Sequence, residues 1–457
     1  MTQKESQVEK KNVFPIDKSY LYFTLNVLSC LGIWNPYKEK GRKYWLYQIY
    51  IMYYCVVIMM LRILTVLVRA LNSTNSTQFC QEFSLLAVLI CDAIKGFTFI
   101  FHRPEVLTIL GIFNWERHIL GTEQIKYYRN RVITTAMLAS KIFTIAVAIF
   151  LTNYFLFYFY VIWKYSDYDV KKLPIGSPPL KYCFILSNYW VAIGIDFVIF
   201  TALGLSAVCH DAFIMGVLIN LMGQLKILNY RAERSSMTNL VKCTDEEIAE
   251  NFKFTQFECV ERECNDESVT LDPNEELINC IRHHQQLLKI LDIFKHVYNV
   301  VLLPQLSVSL VLIIVSGLQM MLVKEGGNLD GTMVAVVFCI TAVIQLFAFC
   351  WGGNIILVES DKTSFAIYSS QWYDRDIVYR NNVKIFLSLV RNPLIVSAGG
   401  LFDLSAVTFK NVYNFQITLG KSFKFLMRAF FSDSGESIFR CCSVAECTGI
   451  TIQLELE

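Results

Sequence analysis

VESDKTSFAIYSSQWYDRDIVYRNNVKIFLSLVRNPLIVSAGGLFDLSAVTFKNVY, residues 358–413, joins two unlike kinds of sequence. A charged, aromatic-punctuated half runs to Asn382. An apolar half follows, carrying Lys384, Arg391 and Pro393. The small residues Ser397-Ala398-Gly399-Gly400 then make a turn and open a last amphipathic run. Lipid alone does not favour that run, because its polar groups would sit unpaired in hydrocarbon. A helix with protein on one side and water on another suits it. The stretch therefore points to a pore.

The rest of the chain places this stretch in a membrane. Of 457 residues, 54% are hydrophobic, 14% aromatic and only 18% charged. A soluble domain carries about a quarter charged residues, so this chain is short of water-facing surface. Apolar runs of the length that crosses a bilayer recur. They predict an all-α polytopic membrane protein with seven spans: Trp45–Ala70, Phe83–Phe101, Val132–Trp163, Trp190–Leu225, Val297–Val323, Thr332–Val358 and Pro393–Phe415. Arg62 interrupts the first span, and the third is dense in Phe and Tyr.

Orientation follows from Lys and Arg in short loops. Lys38, Lys40, Arg42 and Lys43 crowd before the first span and put residues 1–44 in the cytoplasm. This N-terminal segment has no apolar core of signal-peptide type. Arg103, Arg117, Lys126, Arg129 and Arg131 put residues 102–131 inside as well. Two sequons, at Asn72 and Asn75, fall in the intervening loop 71–82. Glycosylation is lumenal, so both signals agree, and both asparagines are expected glycosylation sites. Seven spans then leave the C-terminus, residues 416–457, outside. The loops 164–189 and 324–331 are outside, and the segments 226–296 and 359–392 inside. Within the long acidic loop, Leu277, Ile281, Leu288 and Leu291 have helical spacing, which predicts a helix over 274–293 that continues into span five.

Enzyme chemistry is not indicated. HExxH and Walker GxxxxGK[ST] patterns do not occur, and the Gly-Gly pairs at 326, 352 and 399 lack a GxGxxG context. His283-His284 lacks ligand spacing and is expected to be a solvated pair. The cysteines have no paired CxxC or His partners of the kind a zinc site needs, so neither a metal nor a cofactor is expected. A net charge of +2 gives no nucleic-acid signal. Of 15 cysteines, Cys80 and Cys183 both fall in loops assigned outside, where a disulfide can form; sequence leaves the connectivity open.

Polar residues within the spans are informative. Asp92 and Lys95 are close enough in helix spacing to compensate each other. Asp196, His210 and Asp211 lie in span four, where charge is costly and faces the bundle interior or water. In span three, Tyr154, Phe155 and Tyr158 give aromatic surface with hydroxyls and few charges, which suits a small apolar ligand. An interfacial aromatic belt explains Trp163 and Tyr165 as well, but reaches these deeper rings less readily. Leu86, Ile193, Phe197, Val336, Val337 and Ile340 are placed to close the pocket. From Ser397 onward, Ser397, Leu401, Leu404, Ser405, Thr408 and Val412 recur at helical spacing as a weakly polar stripe, the expected pore lining. Ordinary helix packing is the competing explanation of that stripe.

The late motifs resemble the insect odorant receptor family. They are Glu359-Ser360, Ala366, Tyr368 and Trp372-Tyr373, then Leu387, Leu389, Arg391 and Pro393-Leu394. Ala398-Gly399, Phe402, Leu404-Ser405 and Phe409 complete the set. Asp211-Ala212-Phe213 with Leu221 and Gln224-Leu225 agree more weakly. The resemblance implies a ligand-specific subunit of an odorant-gated, nonselective cation channel, working as a heterotetramer with a shared co-receptor. It implies small, mostly apolar volatile ligands, the plasma membrane of sensory neuron dendrites, a final span that lines the pore, and a subunit anchor containing Tyr368 and Trp372. The chain departs from the family after Tyr413, where it reads Asn414-Phe415-Gln416-Ile417 and continues to Glu457. Two other seven-span chemoreceptors stand as alternatives. A G-protein-coupled receptor would have its N-terminus outside, and a gustatory-type relative would have a different closing motif.

Overall fold

The computed structural model describes residues 21–37, 41–73, 76–115, 189–236, 272–326 and 329–412, with the separate positions 130, 131, 134, 138 and 414. A short helix α1 (Tyr22–Cys30) leads into a long rod. That rod is α2 (Arg42–Tyr53), a π-helical stretch (Tyr54–Met60) and α3 (Leu61–Leu71). Then come α4 (Ser76–Phe101), α5 (Arg103–Trp115), α6 (Tyr189–Arg234), α7 (Pro273–Gly326), α8 (Leu329–Ser369) and α9 (Ile377–Leu389). Strands β1 (Ser397–Ala398) and β2 (Phe402–Asp403) pair antiparallel in a small hairpin.

Five helices among the described residues are long and apolar enough to cross a membrane: Arg42–Leu71, Gln78–Phe101, Thr201–Arg234, Pro273–Met320 and Ala335–Asp374. The expected third span lies almost wholly outside the described residues. Helix α7 packs on α8, α4, α6 and α9, and α8 also packs on α6. Their shared core includes Phe213, Phe294, Phe349 and Phe386, all fully buried. Outer faces carry Trp45, Leu46, Ile49 and Leu64 exposed. Apolar side chains turned both inward and outward are the signature of helices solvated by lipid rather than water.

Two helices run well past their expected spans. Helix α7 covers the predicted 274–293 segment and span five without a break, and α8 continues from span six to Ser369. Pro304 sits inside α7; its ring removes one backbone donor there.

The last span differs from expectation. No helix begins at Pro393. Helix α9 ends at Leu389, before Arg391-Asn392-Pro393, as a proline that restricts its predecessor requires. Gly399 and Gly400 then take φ of 63° and 70°, a conformation that costs other residues. The hairpin pairs Ser397 with Asp403 and Ala398 with Phe402. A helix starts only at residue 406.

Candidate functional site

Charged groups inside the bundle form a knot across three helices. Lys95 on α4 sits 2.5 Å from the Asp211 carboxylate on α6, and Gln345 on α8 donates to the other oxygen of Asp211. Asp92, one turn from Lys95, accepts from the Ser206 hydroxyl at 3.0 Å and lies 3.1 Å from Nδ1 of His210. All six polar groups are buried or nearly so. Asp92 and Lys95, which helix spacing suggested as mutual partners, each make their direct contacts elsewhere, although the Asp92 charge still favours the Lys95 ammonium. Each turns to a partner on α6, because the neighbouring helix offers closer partners than the next turn does. Below this level Cys91 donates to Gln305 on α7 at 3.1 Å, tying in a fourth helix.

The pocket residues predicted from sequence are only partly within the described structure. Tyr154, Phe155 and Tyr158 lie outside the described residues, and Ile193 and Phe197 fall on α6 without described side chains. Leu86 is buried in the core beside α4's neighbours. Val336 and Val337 are half-buried on α8, and Ile340 is 54% exposed. The three α8 residues occupy the stretch of helix just before Gln345.

At the other end of the bundle a second polar set gathers. Arg231 on α6 pairs with Glu276 on α7 at 2.8 Å, both buried. The Tyr379 hydroxyl on α9 meets Ser235 at 2.7 Å, and burial raises this phenol above its ordinary range. Ser236 accepts from the Gln371 backbone N–H at 3.2 Å, and Arg375 donates to the Ser236 carbonyl. His283 and His284, expected to be solvated, are both buried here; the His284 ring lies 5.7 Å from Phe386. The cause is α9, which folds back on α7 and covers them. Tyr368 is 64% exposed, and its ring lies 6.4 Å from half-buried Trp372.

The residues expected to share a pore stripe separate. Ser397 is in β1, and Leu401 stands 73% exposed just after the hairpin's two glycines. Leu404 is buried against α8. Ser405 accepts from the Thr408 N–H at 3.2 Å and so caps the last helix, while the Thr408 hydroxyl donates to the Asp403 carbonyl at 2.6 Å. Only Thr408 and Val412 of the six lie within the helix; the hairpin breaks the helical spacing on which the stripe rested.

Asn72 follows α3 and is exposed, and Asn75 lies outside the described residues. Cys80 is a buried free thiol, and Cys183, the partner suggested for it, lies outside the described residues. Sequence reasoning passed over Gln345 and Asn354, each a lone amide in an apolar run of α8. Their isolation among Ile, Leu, Val and Phe was the available signal.

Comparison with known proteins agrees with this architecture. A family model described as 7tm Odorant receptor matches residues 75–417. Odorant receptor 22b of Drosophila melanogaster is 28% identical over 144 residues, which is 32% of this chain and 36% of that one. Odorant receptor 42b of the same species is 29% identical over 146 residues, with the same two shares. The matched segment thus spans about a third of these relatives' length. Among solved structures, the insect olfactory receptor OR5 from Machilis hrabei in complex with eugenol superposes with a TM-score of 0.71. It is 13% identical, and the alignment covers 90% of this chain and 98% of that one.

Proposed function

Because this chain belongs to the odorant receptor family, we propose that it is a ligand-specific subunit of an odorant-gated cation channel. The observation that carries this reading is the end of the described chain. A helix begins at residue 406 behind a rigid hairpin, and on a single chain its first turns leave Val407, Lys410 and Asn411 exposed. A lysine and an asparagine on that surface are poorly suited to lipid and well suited to a water-filled axis shared by several subunits. Thr408 and Val412, with Leu401 near the hairpin tip, are the residues of the predicted lining that remain available to such an axis.

Ligand reaches the pocket predicted around Tyr154, Phe155 and Tyr158, closed by Leu86, Ile193, Phe197, Val336, Val337 and Ile340. Its class is a small, mostly apolar volatile molecule. The exposed Tyr368 and neighbouring Trp372 join subunits, and the partner is a shared co-receptor in a heterotetramer. Residence is the plasma membrane of a sensory dendrite, with the N-terminus inside and glycans at Asn72 and Asn75.

Expression with an insect odorant co-receptor should give odorant-evoked cation current that persists when G-protein signalling is blocked, and expression alone should give little. No current to a broad panel of volatiles, despite surface delivery, would sink the reading. Current lost on G-protein blockade would favour the G-protein-coupled alternative, as would an N-terminal tag labelled on intact cells.

A further inference from the structure

Helix α8 contacts the start of the last helix at two levels and the segment before the hairpin at a third. The Phe347 ring meets the Phe409 ring edge-on, with centroids 5.4 Å apart. Seven residues on, Asn354 accepts from the backbone N–H of Ala406 at 3.3 Å. Ser360 accepts from the N–H of Leu394 at 2.8 Å, below the hairpin. A helix leaves its first N–H groups without intrahelical partners. Here Ser405 serves one of them from within, and Asn354 serves another from a different helix.

The Gly352-Gly353 pair makes the approach close enough. A Cβ at Gly353 would overlap the carbonyl oxygen and Cβ of Leu404. A Cβ at Gly352, about 100° further round the helix, would come within 2.9 Å of the Leu218 Cδ1 and 3.2 Å of the Met215 Cε on α6. Helix α8 thus lies against the hairpin with no room for a methyl group at Gly353, while at Gly352 the neighbours are side-chain ends that can give. The hairpin is seated from behind as well, since Gly399 lies against Leu303 of α7. Displacement of α8 at this level must move Leu404 and the cap of the last helix together, because close-packed interiors transmit rather than absorb such shifts.

The same helix reaches the polar knot through Gln345, nine residues before Asn354, or about 13 Å along the axis. Its stretch from Val336 to Ile340, assigned above to the ligand pocket, comes just before Gln345.

We propose that Gly353 and Asn354 are positioning residues for gating, forming the joint by which α8 sets the tilt of the last helix. Ligand contact at the outer part of α8 is relayed through Gln345 to this joint. The proposal rests on the channel reading given above.

The test is single-channel recording of the complete receptor with its co-receptor, together with surface biotinylation. Asn354→Ala removes the acceptor of the Ala406 N–H, and Asn354→Asp keeps one at the same place. The Asn354→Ala receptor should shift the closed–open equilibrium by about fivefold, as loss of one hydrogen-bond acceptor implies, with mean open time changed and single-channel conductance intact. Asn354→Asp should return open time towards wild type. Gly353→Ala should shift the equilibrium further.

Unchanged open probability and open time in both Asn354→Ala and Gly353→Ala would overturn the proposal. So would a loss of surface protein with normal gating in the channels that remain, which marks a role in folding only. If Gly353→Ala does not reach the surface, the Asn354 pair decides alone. A wild-type receptor that carries no current fails the channel reading itself, and the joint with it; that outcome is separate from altered variants in a working channel.

Discussion

The two polar knots of this bundle are equally well buried but unequally protected. In the knot around Asp211, every partner is a side chain: Lys95, Gln345, and, through Asp92, Ser206 and His210. It lies at the middle of helices whose outer faces are apolar. In the knot around Arg231, Glu276 and Tyr379, helix ends contribute backbone groups. The Gln371 N–H and the Ser236 carbonyl are partners there, and α6 terminates within it. Side chains alone must satisfy one another in the first case. In the second, backbone groups at helix ends would need partners in any event. Burial by itself therefore does not measure what a polar cluster contributes; what matters is what replaces a lost partner. Water can reach a helix end, whereas the centre of a membrane bundle offers none.

The sharpest way to break that comparison is Lys95→Met. It leaves the Asp211 carboxylate buried beside Gln345 without its counter-charge, and removing one member of a buried pair costs about 3–5 kcal/mol. The expected outcome is near-complete retention inside the cell, read as the fraction of receptor reaching the surface. The double variant Lys95→Met/Asp211→Asn should recover much of that fraction, since the uncompensated charge is gone. Equal loss in single and double variants would show that the knot acts through Lys95 packing rather than charge.

Arg231→Met tests the other side. Glu276 keeps a weak contact from the Cys280 thiol at 3.9 Å, and the cluster lies at a helix end. A loss of about 1.5–3 kcal/mol, that of a bond to a charged group, is expected. Thermal unfolding of the detergent-solubilised receptor, followed by size-exclusion fluorescence, should show a moderate fall with surface delivery retained. If Arg231→Met matched Lys95→Met in severity, protection by the helix end would be refuted.

Much of this architecture was legible in sequence, and the failures have a common physical origin. Helix positions could be read because lipid demands long apolar runs, and because Leu277, Ile281, Leu288 and Leu291 keep one period ahead of span five. Which helices meet is not written in any single run. Asp92 and Lys95 looked self-sufficient at helical spacing, yet each found a nearer partner on α6. His283-His284 read as solvated because α9, which buries it, lies about a hundred residues downstream. Ser397 to Val412 looked like one helical stripe, since side chains at that spacing are compatible with a helix. The two glycines mark a turn in the sequence, but that their φ values hold a hairpin and delay the helix to residue 406 depends on α7 and α8 around them. The three glycine pairs lack a nucleotide-binding context, and two of them are sites of close approach.

The smallest expected effect refines the knot at the helix ends. Tyr379 is fully buried, and its hydroxyl meets Ser235 at 2.7 Å, with the Ser370 side chain as a second partner. Tyr379→Phe keeps the ring and its packing, removes one hydroxyl, and should cost about 1 kcal/mol, the net worth of one neutral hydrogen bond. Ser235→Ala should cost a similar amount, because the Ser235 hydroxyl also donates to the Ala232 carbonyl at 2.8 Å. The two changes together should cost less than the sum of the singles, since the second removes a partner already orphaned by the first. Full additivity in the melting shifts would mean that the 2.7 Å contact contributes nothing of its own. The helix-end knot would then rest on Arg231 and on its backbone partners alone.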